Sequence, residues 1–442
     1  MAQVKRTELT VRLERAILVG VLFPNSPIDH EDPLEELARL AKTAGARVVE
    51  RVTQNRTRVD SAYFIGKGKA AELKNTAKAL NANVLIFNHD LSPAQVRNLE
   101  TAADIKVIDR SELILDIFAT HARTHAAKVQ VELAQLEYTL PRLTRMWTHF
   151  GRIDGGIGTR GAGEQQLEVD RRIVRRRIGE LKRNLAHVQE RKSREVLGRS
   201  GEFCVSIVGY TNAGKSTLMN ALTDADVLVQ DKLFATLETR TRPWSLPGGR
   251  QVLLSDTVGF IRDLPHHLVA SFRATLEEAK NADLLLHVID AASPAAPEQI
   301  AAVDTVLEEI GCTESARLLV LNKSDAAKDL AAFNVLAATH PGSILISALT
   351  GDGLRDLANA VSTEMAKNVY EVSLSFPAAD GRIYAALCQR GEVLSRGFVD
   401  ADVHVRARIG HKYLNQLLSD FPQVAFLPDS PHQPAPKEDD DF

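Results

Sequence analysis

The 442-residue chain is poor in the residue types that mark several specialised classes of protein. Its three cysteines, Cys204, Cys312 and Cys388, lie far apart and form no C-x-x-C pair. This spacing argues against a disulfide scaffold or a zinc site and fits a reducing compartment, so we expect a cytoplasmic protein. No apolar run approaches the ~20 residues of a transmembrane helix, and no lipidation motif or amphipathic anchor is visible.

The remaining composition is typical of a globular α/β protein, with 25% charged and 44% hydrophobic residues. The net charge of −3 hides a local asymmetry. Ten Lys/Arg and only two Asp/Glu lie between Arg171 and Arg194, whereas the C-terminal residues KEDDDF are acidic. A basic stretch of this kind is either a solvated helix face or a surface that neutralises phosphates.

Changes in hydrophobic periodicity divide the chain into five segments. Short apolar runs alternating with helical patterns predict an α/β domain, in which RAILVGVLF, ARVVERVTQ, SAYFIG, ANVLIFNHD and IKVIDR are the expected strands and Ser92 caps a helix. Two narrow apolar seams of helical spacing follow, joined by a glycine-rich loop, and predict an antiparallel helical hairpin. Near-continuous apolar runs then predict parallel strands buried on both faces. The expected segments are an N-terminal α/β domain (1–110), a helical hairpin (111–200) with its glycine-rich loop (151–163), a β-α-β domain (201–366), a small C-terminal α/β domain (367–427) and a disordered acidic tail (428–442).

The stretch GYTNAGKST, from Gly209 to Thr217, matches the phosphate-loop pattern G-x-x-x-x-G-K-[ST]. It lies after the apolar strand CVSIV and before the helical TLMNAL, which is the context that the motif requires. Gly209 and Gly214 allow the backbone to wrap around phosphate oxygens. Lys215 is expected to neutralise the β- and γ-phosphates, and the Ser216 hydroxyl is expected to ligate Mg²⁺.

The stretch DTVGF has the D-x-x-G form of a γ-phosphate-sensing loop, known as switch II. Asp256 is expected to hold Mg²⁺ through a water, and the Gly259 amide to contact the γ-phosphate. Phe260 occupies the position of the glutamine that orients the attacking water in many GTPases. In the preceding FATLETRTR (switch I), we favour Thr236 as the second Mg²⁺ ligand because it follows an apolar anchor, Phe234.

The stretch NKSD, from Asn322 to Asp325, follows a buried strand where a base-reading loop belongs. The Asp325 carboxylate offers only acceptors, which match the N1–H and 2-amino donors of guanine. Lys323 can pack along the base, and SAL, from Ser347 to Leu349, can offer an amide to guanine O6. The complete expected nucleotide site comprises Gly209, Tyr210, Thr211, Asn212, Ala213, Gly214, Lys215, Ser216, Thr217, Phe234, Ala235, Thr236, Leu237, Glu238, Asp256, Thr257, Val258, Gly259, Asn322, Lys323, Asp325, Ser347, Ala348 and Leu349, with catalytic roles for Lys215, Thr236 and Gly259.

Several longer stretches carry a resemblance to a known family. GYTNAGKSTL, DKLFATLETRTR, DTVGFIRDLPHHLVASFRATLEEAKNADLLLHVIDA and NKSD resemble the GTPase domain of the HflX family, and GGIGTRGAGEQQLEVDRR is similar to its glycine-rich linker. The resemblance covers most of the chain. It departs at Ala162, where the family usually has proline, and at Gln165, where threonine is usual.

The resemblance implies GTP and GDP as ligands, association with the 50S ribosomal subunit and its rRNA, and splitting or rescue of stalled ribosomes. The expected RNA contacts are Arg152, Arg160, Arg171, Arg172, Arg175 and Arg176. We expect a monomer without a membrane anchor. An RNA-binding or remodelling module with GTP as a regulatory ligand only remains the alternative.

Phe260 predicts slow intrinsic hydrolysis, because it cannot orient a water. Two sources for the missing group stay open: the large subunit, or a K⁺ ion held by Asn212, which matches the asparagine of K⁺-using relatives. In the N-terminal segment YFIGKGKAAEL, a phosphate cradle, an RNA-contacting loop and a plain β-to-α turn also stay open.

Overall fold

The structure is a computed structural model that describes residues 14–24, 32–146, 162–198, 202–223, 233–234, 239–262, 278–312, 315–326, 330–367 and 369–431. The described residues form three β-sheets with helices on their faces, and a long helical pair lies beside the first sheet. No described helix is both long enough and apolar enough to cross a bilayer.

The N-terminal domain is built on four parallel strands in the order β2-β1-β3-β4. Strand β3 is buried along its whole length because its sequence, VLIF, packs between helices on both faces of the sheet. The strands are β1 (Arg15–Leu22), β2 (Arg47–Asn55), β3 (Val84–Phe87) and β4 (Lys106–Ile108). The helices are α1 (Glu35–Thr43), α2 (Lys67–Ala79), α3 (Pro93–Ala103) and α4 (Arg110–His121).

Local sequence signals succeed at one turn of this domain and fail at another. The predicted cap of α3 is confirmed, because Ser92 accepts from the Gln95 amide in a full capping box. The predicted strand SAYFIG is wrong. The Asp60 carboxylate accepts the backbone amides of Ala62 at 2.8 Å and Tyr63 at 2.9 Å, and this local turn replaces a strand ladder.

The helical pair consists of α5 (His125–Met146) and α6 (Ala162–Gly198). Val129 and Leu133 of α5 pack against Leu181 and Leu185 of α6, as the apolar seams indicate. The opposite face of α5, with Val131 and others, belongs to the core of the N-terminal domain. Helix α5 therefore lies between the N-terminal sheet and α6.

The first helical seam is interrupted before α5. Ala122 adopts an extended conformation with φ −66° and ψ 110°, and α4 ends at His121. The Thr124 hydroxyl then accepts the Ala127 amide at 3.2 Å and starts the next helix. Phe118, at the start of the seam, consequently packs in the N-terminal core rather than between α5 and α6.

The central domain contains a six-stranded sheet in the order β10-β9-β8-β5-β7-β6. All neighbours are parallel except β6 and β7, and β6 is a strand that the apolar runs do not predict. The strands are β5 (Cys204–Gly209), β6 (Arg240–Ser245), β7 (Gln251–Asp256), β8 (Leu284–Asp290), β9 (Arg317–Asn322) and β10 (Ile344–Leu345). The helices are α7 (Lys215–Leu222), α8 (Ala296–Glu309), α9 (Leu330–Thr339) and α10 (Leu354–Lys367).

The C-terminal domain is an antiparallel sheet in the order β12-β13-β11-β14, with two helices packed on one face. Its element order is β11 (Val369–Pro377), α11 (Gly381–Arg390), β12 (Gly391–Val399), β13 (Asp402–Gly410), α12 (His411–Asp420) and β14 (Ala425–Phe426). Alternating burial along β11 and β13 reflects a sheet with one covered face. The tail 432–442 lies outside the described residues.

The N-terminal and central domains share one hydrophobic cluster. It joins Leu113 and Phe118 of α4 to Phe234, Val258 and Phe260 of the central domain. The rings of Phe118 and Phe234 meet edge to face, with centroids 4.7 Å apart. The shared core places the carboxyl end of the central sheet against the N-terminal domain.

Candidate nucleotide-binding site

The phosphate-loop sequence forms the turn between β5 and α7, where two glycines are sterically required. Gly209 has φ +149°, and a Cβ there would lie 2.2 Å from the Val288 carbonyl oxygen. Gly214 has φ +92°, and its Cβ would lie 2.2 Å from Asn322 Nδ2. No residue with a side chain fits either position, so the backbone is free to approach phosphates closely.

Lys215 lies at the first position of α7 and is almost fully buried. Its Nζ donates hydrogen bonds to the carbonyls of Gly209 at 3.1 Å and Tyr210 at 2.8 Å. Burial lowers the pKa of Lys215 to about 8, and the nearby Asp256 carboxylate opposes that shift. The ammonium is thus held inside the loop and aimed at its centre.

Ser216 and Asp256 form an oxygen pair beside Lys215. The Ser216 hydroxyl donates to an Asp256 carboxylate oxygen at 2.8 Å, and Asp256 is fully buried at the end of β7. A hydroxyl and a carboxylate at this separation are hard oxygen donors of the type that Mg²⁺ prefers. The two predicted ligands therefore lie together and fit a magnesium ion.

Switch II lies directly on the phosphate loop. The Thr211 amide donates to the Phe260 carbonyl at 2.6 Å, and the Phe260 amide donates to the Gly209 carbonyl at 3.2 Å. The Thr257 hydroxyl donates to the Ile207 carbonyl at 2.7 Å and fixes the start of the segment to β5. The Phe260 ring is 2% exposed and belongs to the shared cluster, so it faces the N-terminal domain.

The first part of switch I is anchored at Phe234. Its side chain is 1% exposed and contacts Phe118, and its amide donates to the Thr211 hydroxyl at 3.1 Å. Phe234 has φ +58°, a left-handed conformation that costs a non-glycine residue energy unless packing enforces it. The other predicted switch I residues, Ala235, Thr236, Leu237 and Glu238, lie outside the described residues.

The base-reading segment is tied to the phosphate loop through Asn322. Its Nδ2 donates to the Ala213 carbonyl at 2.8 Å, and its Oδ1 accepts the Ala348 amide at 2.9 Å. The Ser347 hydroxyl donates to the Asp325 carboxylate at 2.6 Å. These three bonds bring the predicted NKSD, SAL and phosphate-loop residues into one site and orient Asp325, whereas Leu349 is 79% exposed at its rim.

Two features of the site carry no motif signal in the sequence. Asp290, at the end of β8, forms a 2.7 Å ion pair with Lys323 and holds its stem in place. Glu36 and Arg110 of the N-terminal domain contact the phosphate loop and switch II through Tyr210 and Arg262. Parallel strand ends meet at one sheet edge, which could have suggested Asp290. Nothing in the spacing of Glu36 points to Tyr210.

The predicted RNA-contacting arginines of α6 lie on a largely exposed helix face, and several are paired within it. Arg175 lies 3.8 Å from Glu168, and Arg176 lies 3.3 Å from Glu180. Arg171 also lies 3.9 Å from Glu168, while Arg172 is exposed. Arg152 and Arg160 lie outside the described residues.

Comparisons with known proteins match nearly the whole chain. Family models describe residues 31–119 as a GTP-binding GTPase N-terminal region, 121–199 as its middle region, and 204–323 as a 50S ribosome-binding GTPase. A GTPase HflX from Caldanaerobacter subterraneus is 46% identical over 404 residues, which cover 91% of this chain and 92% of that protein. The chain belongs to the HflX family of GTPases.

Other HflX proteins are similarly close. The Escherichia coli GTPase HflX is 44% identical and covers 90% of this chain and 93% of its own length. A solved GTP-binding protein of Sulfolobus solfataricus, in complex with GDP, is 26% identical over 80% of this chain and 99% of that one, with a TM-score of 0.41. HflX membership establishes a GTP-binding GTPase domain with a general requirement for Mg²⁺.

Proposed function

We propose that this HflX-family GTPase is a nucleotide-driven switch that associates with the 50S subunit and splits or rescues stalled ribosomes. The observation that carries the proposal is the contact between switch II and the N-terminal domain. Phe260 is in the shared cluster, and α5 packs the helical pair onto the same domain. A change at the γ-phosphate can therefore reach the basic helix α6 through packed elements.

In this proposal the residues of the site divide the work of hydrolysis. Lys215 neutralises the β- and γ-phosphates, the Gly259 amide binds the γ-phosphate, and Thr236 orders switch I around it. Mg²⁺, held by Ser216 and Thr236 and by Asp256 through a water, would neutralise developing charge when bound. The backbone amides of the phosphate loop orient the nucleotide, and Asp325 selects guanine.

Phe260 faces the N-terminal domain and offers no hydrogen bond to a water, so we propose a slow intrinsic rate. Either the large subunit or a K⁺ ion at Asn212 supplies the stabilisation of the transition state that Phe260 cannot provide. Asn212 lies in the phosphate loop with φ +62°. GTP hydrolysis by wild type and Asn212→Ala, each in K⁺ and in Na⁺, tests the second source. Equal wild-type rates in the two salts would exclude K⁺.

RNA binding is assigned in this proposal to the exposed arginines of α6 together with Arg152 and Arg160. Arg172 and Arg176 present charge to solvent, and arginines of this kind release counterions when they meet phosphates. Salt therefore weakens the interaction with rRNA. Replacing Arg172 and Arg176 by glutamine is expected to reduce the salt dependence of 50S binding, measured by sedimentation.

The central experiment is co-sedimentation of the chain with 50S subunits in GDP, in a non-hydrolysable GTP analogue and without nucleotide. The switch predicts strong binding with the analogue and weak binding in the other two conditions. Lys215→Ala removes the side chain that binds the phosphates. This variant should therefore bind 50S subunits no more strongly with the analogue than without nucleotide. Binding that ignores nucleotide in wild type would contradict the proposal.

The second candidate, an RNA-binding or remodelling module with GTP as a regulatory ligand only, is favoured by the exposed arginine face of α6. It makes a different prediction for subunit splitting. If splitting of 70S ribosomes proceeds equally with Lys215→Ala and with the non-hydrolysable analogue, turnover is dispensable and the second candidate holds.

A further inference from the structure

The hydroxyl of Tyr210 joins the phosphate loop to switch II and to the N-terminal domain. The Tyr210 side chain is 6% exposed, and its hydroxyl accepts the Arg262 amide at 2.7 Å. The same hydroxyl donates to the Glu36 carboxylate of α1. Burial raises the pKa of Tyr210, so the hydroxyl remains a donor across the physiological pH range. Both hydrogen-bonding functions of this group are therefore used.

Glu36 is held in turn by Arg110, at the start of α4. The Arg110 guanidinium pairs with Glu36 and donates to the Asn88 side chain at 2.9 Å. It also donates to the Arg262 carbonyl at 2.9 Å. The backbone of Arg262, three residues after Gly259, is thus gripped at its amide by Tyr210 and at its carbonyl by Arg110.

This grip coincides with a closed contact between switch II and the phosphate loop. A Cβ built on Gly259 would lie 2.9 Å from Lys215 Nζ and 2.9 Å from Thr211 Cα. The Gly259 backbone thus packs tightly against Lys215 and Thr211, at the place where a γ-phosphate is expected to bind.

We propose that Tyr210 and Glu36 are positioning residues that hold switch II in its γ-phosphate-free arrangement. The N-terminal domain thereby sets the preference of the site for GDP over GTP. This proposal deepens, and rests on, the proposed switch function. Triphosphate binding must lift Gly259 away from Thr211, and the bonds at Arg262 resist that movement. Hydrogen bonds to a charged, partly buried partner are strong enough to shift such an equilibrium.

The test compares dissociation constants for GDP and for a non-hydrolysable GTP analogue, measured with Mg²⁺ on the full chain without ribosomes. Tyr210→Phe keeps the ring and removes the hydroxyl, and Glu36→Ala removes its partner. In each variant, the dissociation constant of the analogue is expected to fall about tenfold relative to that of GDP. This change corresponds to ~1.4 kcal/mol. Glu36→Gln, which can still accept from Tyr210, should give a smaller change.

Glu35→Gln is the matched control. Glu35 is the neighbouring carboxylate on α1, and its ion pairs at 3.0 Å join it to Arg39 and Arg51 within the N-terminal domain. In this variant, the ratio of the dissociation constants for GDP and the analogue should stay within twofold of the wild-type ratio. Tyr210→Phe removes the bond to the Arg262 amide, whereas Glu36→Ala removes the partner of both Tyr210 and Arg110. The double variant should therefore change the ratio by less than the product of the two single changes, since both variants act on Arg262.

Several outcomes would overturn the proposal: an unchanged ratio in Tyr210→Phe, an equal change for both nucleotides, or additive effects in the double variant. If one single variant does not fold, the ratio measured for the other single variant tests the proposal. This measurement uses no ribosomes, whereas the switch function is tested by co-sedimentation with 50S subunits. The two proposals can therefore be refuted independently of each other.

Discussion

At the scale of single residues, Phe260 combines a missing catalytic group with a packing role. Its ring is 2% exposed in the cluster shared with α4. We predict that Phe260→Gln will not accelerate hydrolysis, because the side chain points into the domain contact and away from the phosphates. The variant should lose about 3 kcal/mol of stability, since it buries an amide and loses an aromatic ring.

Single-turnover hydrolysis and thermal unfolding check this expectation. Phe260→Leu, which remains apolar, should lose less stability and hydrolyse GTP at the wild-type rate. A Phe260→Gln enzyme that turned over at least tenfold faster with an unchanged Tm would show that the missing glutamine alone limits the rate.

His287 predicts a pH dependence of stability. It lies on β8, 1% exposed, and burial together with the positive charge of Arg317 lowers its pKa to about 3, well below the usual 6.5 of a histidine. The Asp304 carboxylate lies 3.9 Å from its Nδ1. The unfolded chain binds a proton below about pH 6.5 and the folded protein does not, so stability falls as the pH drops from 6.5 towards 3.

The expected loss is about 1.4 kcal/mol per pH unit, or ~2 kcal/mol at pH 5. Denaturant unfolding at pH 7 and pH 5 measures it. His287→Gln should remove this part of the pH dependence, whereas His125→Gln, at an exposed position, should retain it. Identical slopes for His287→Gln and wild type would refute the assignment.

The sequence was sufficient to predict residues whose role follows from local chain geometry. Gly209, Gly214 and Lys215 belong to one turn, and the motif therefore predicts their positions. Asn322 was expected at the base, but its bridge from Ala213 to Ala348 depends on three loops meeting at one sheet edge. Glu36 was not predicted, because its contact with Tyr210 spans 174 residues.

At the scale of elements, the packing of α5 against α6 provides a test of the helical pair. Leu181 is 1% exposed between the helices, whereas Ile173 on α6 is 59% exposed. Leu181→Ala should cost about 2–5 kcal/mol by opening a cavity. Ile173→Ala should change stability by less than about 0.5 kcal/mol. Hydrogen exchange of the α5 and α6 amides measures the loss of stability in each variant. Equal protection of these amides in Leu181→Ala and Ile173→Ala would contradict this packing.

The elements show where periodicity suffices and where it does not. The α5 and α6 seams were predicted because a helical repeat over several turns has few other interpretations. The turn at Asp60 and the extended Ala122 were missed, because short side-chain-to-backbone bonds there outweigh the apolar pattern. Strand β12 was missed because its alternation is weak on an exposed sheet edge.

At the scale of the whole molecule, the distribution of cores predicts how the domains unfold. The N-terminal and central domains share a cluster, whereas the C-terminal sheet has its own. GDP at 100 times its Kd should stabilise the shared unit by about 2.7 kcal/mol. Calorimetry should show one transition that rises with GDP and a second that does not.

Lys215→Ala, which loses the phosphate ligand, is the control and should show no GDP-dependent rise. A rise of both transitions by the same amount would indicate that the C-terminal domain is coupled to the site. The sequence predicted each domain from its own pattern. It did not predict the shared core, because Phe118 and Phe234 carry no signal that pairs them across the chain.

The fastening of α5 on two faces has a mechanical consequence. One face lies in the N-terminal core and the other against α6, and the Asp109 carboxylate grips Arg142 of α5 at 3.0 Å. The helical pair is therefore anchored to the N-terminal domain through α5, and a tilt of that domain would carry α5 with it. Helix α6 has 37 residues, about 55 Å of length. A rotation of only ~10° at the Tyr210–Glu36 contact would sweep a point 55 Å away through roughly 10 Å. A small rotation at this contact would thus be amplified along the helical pair.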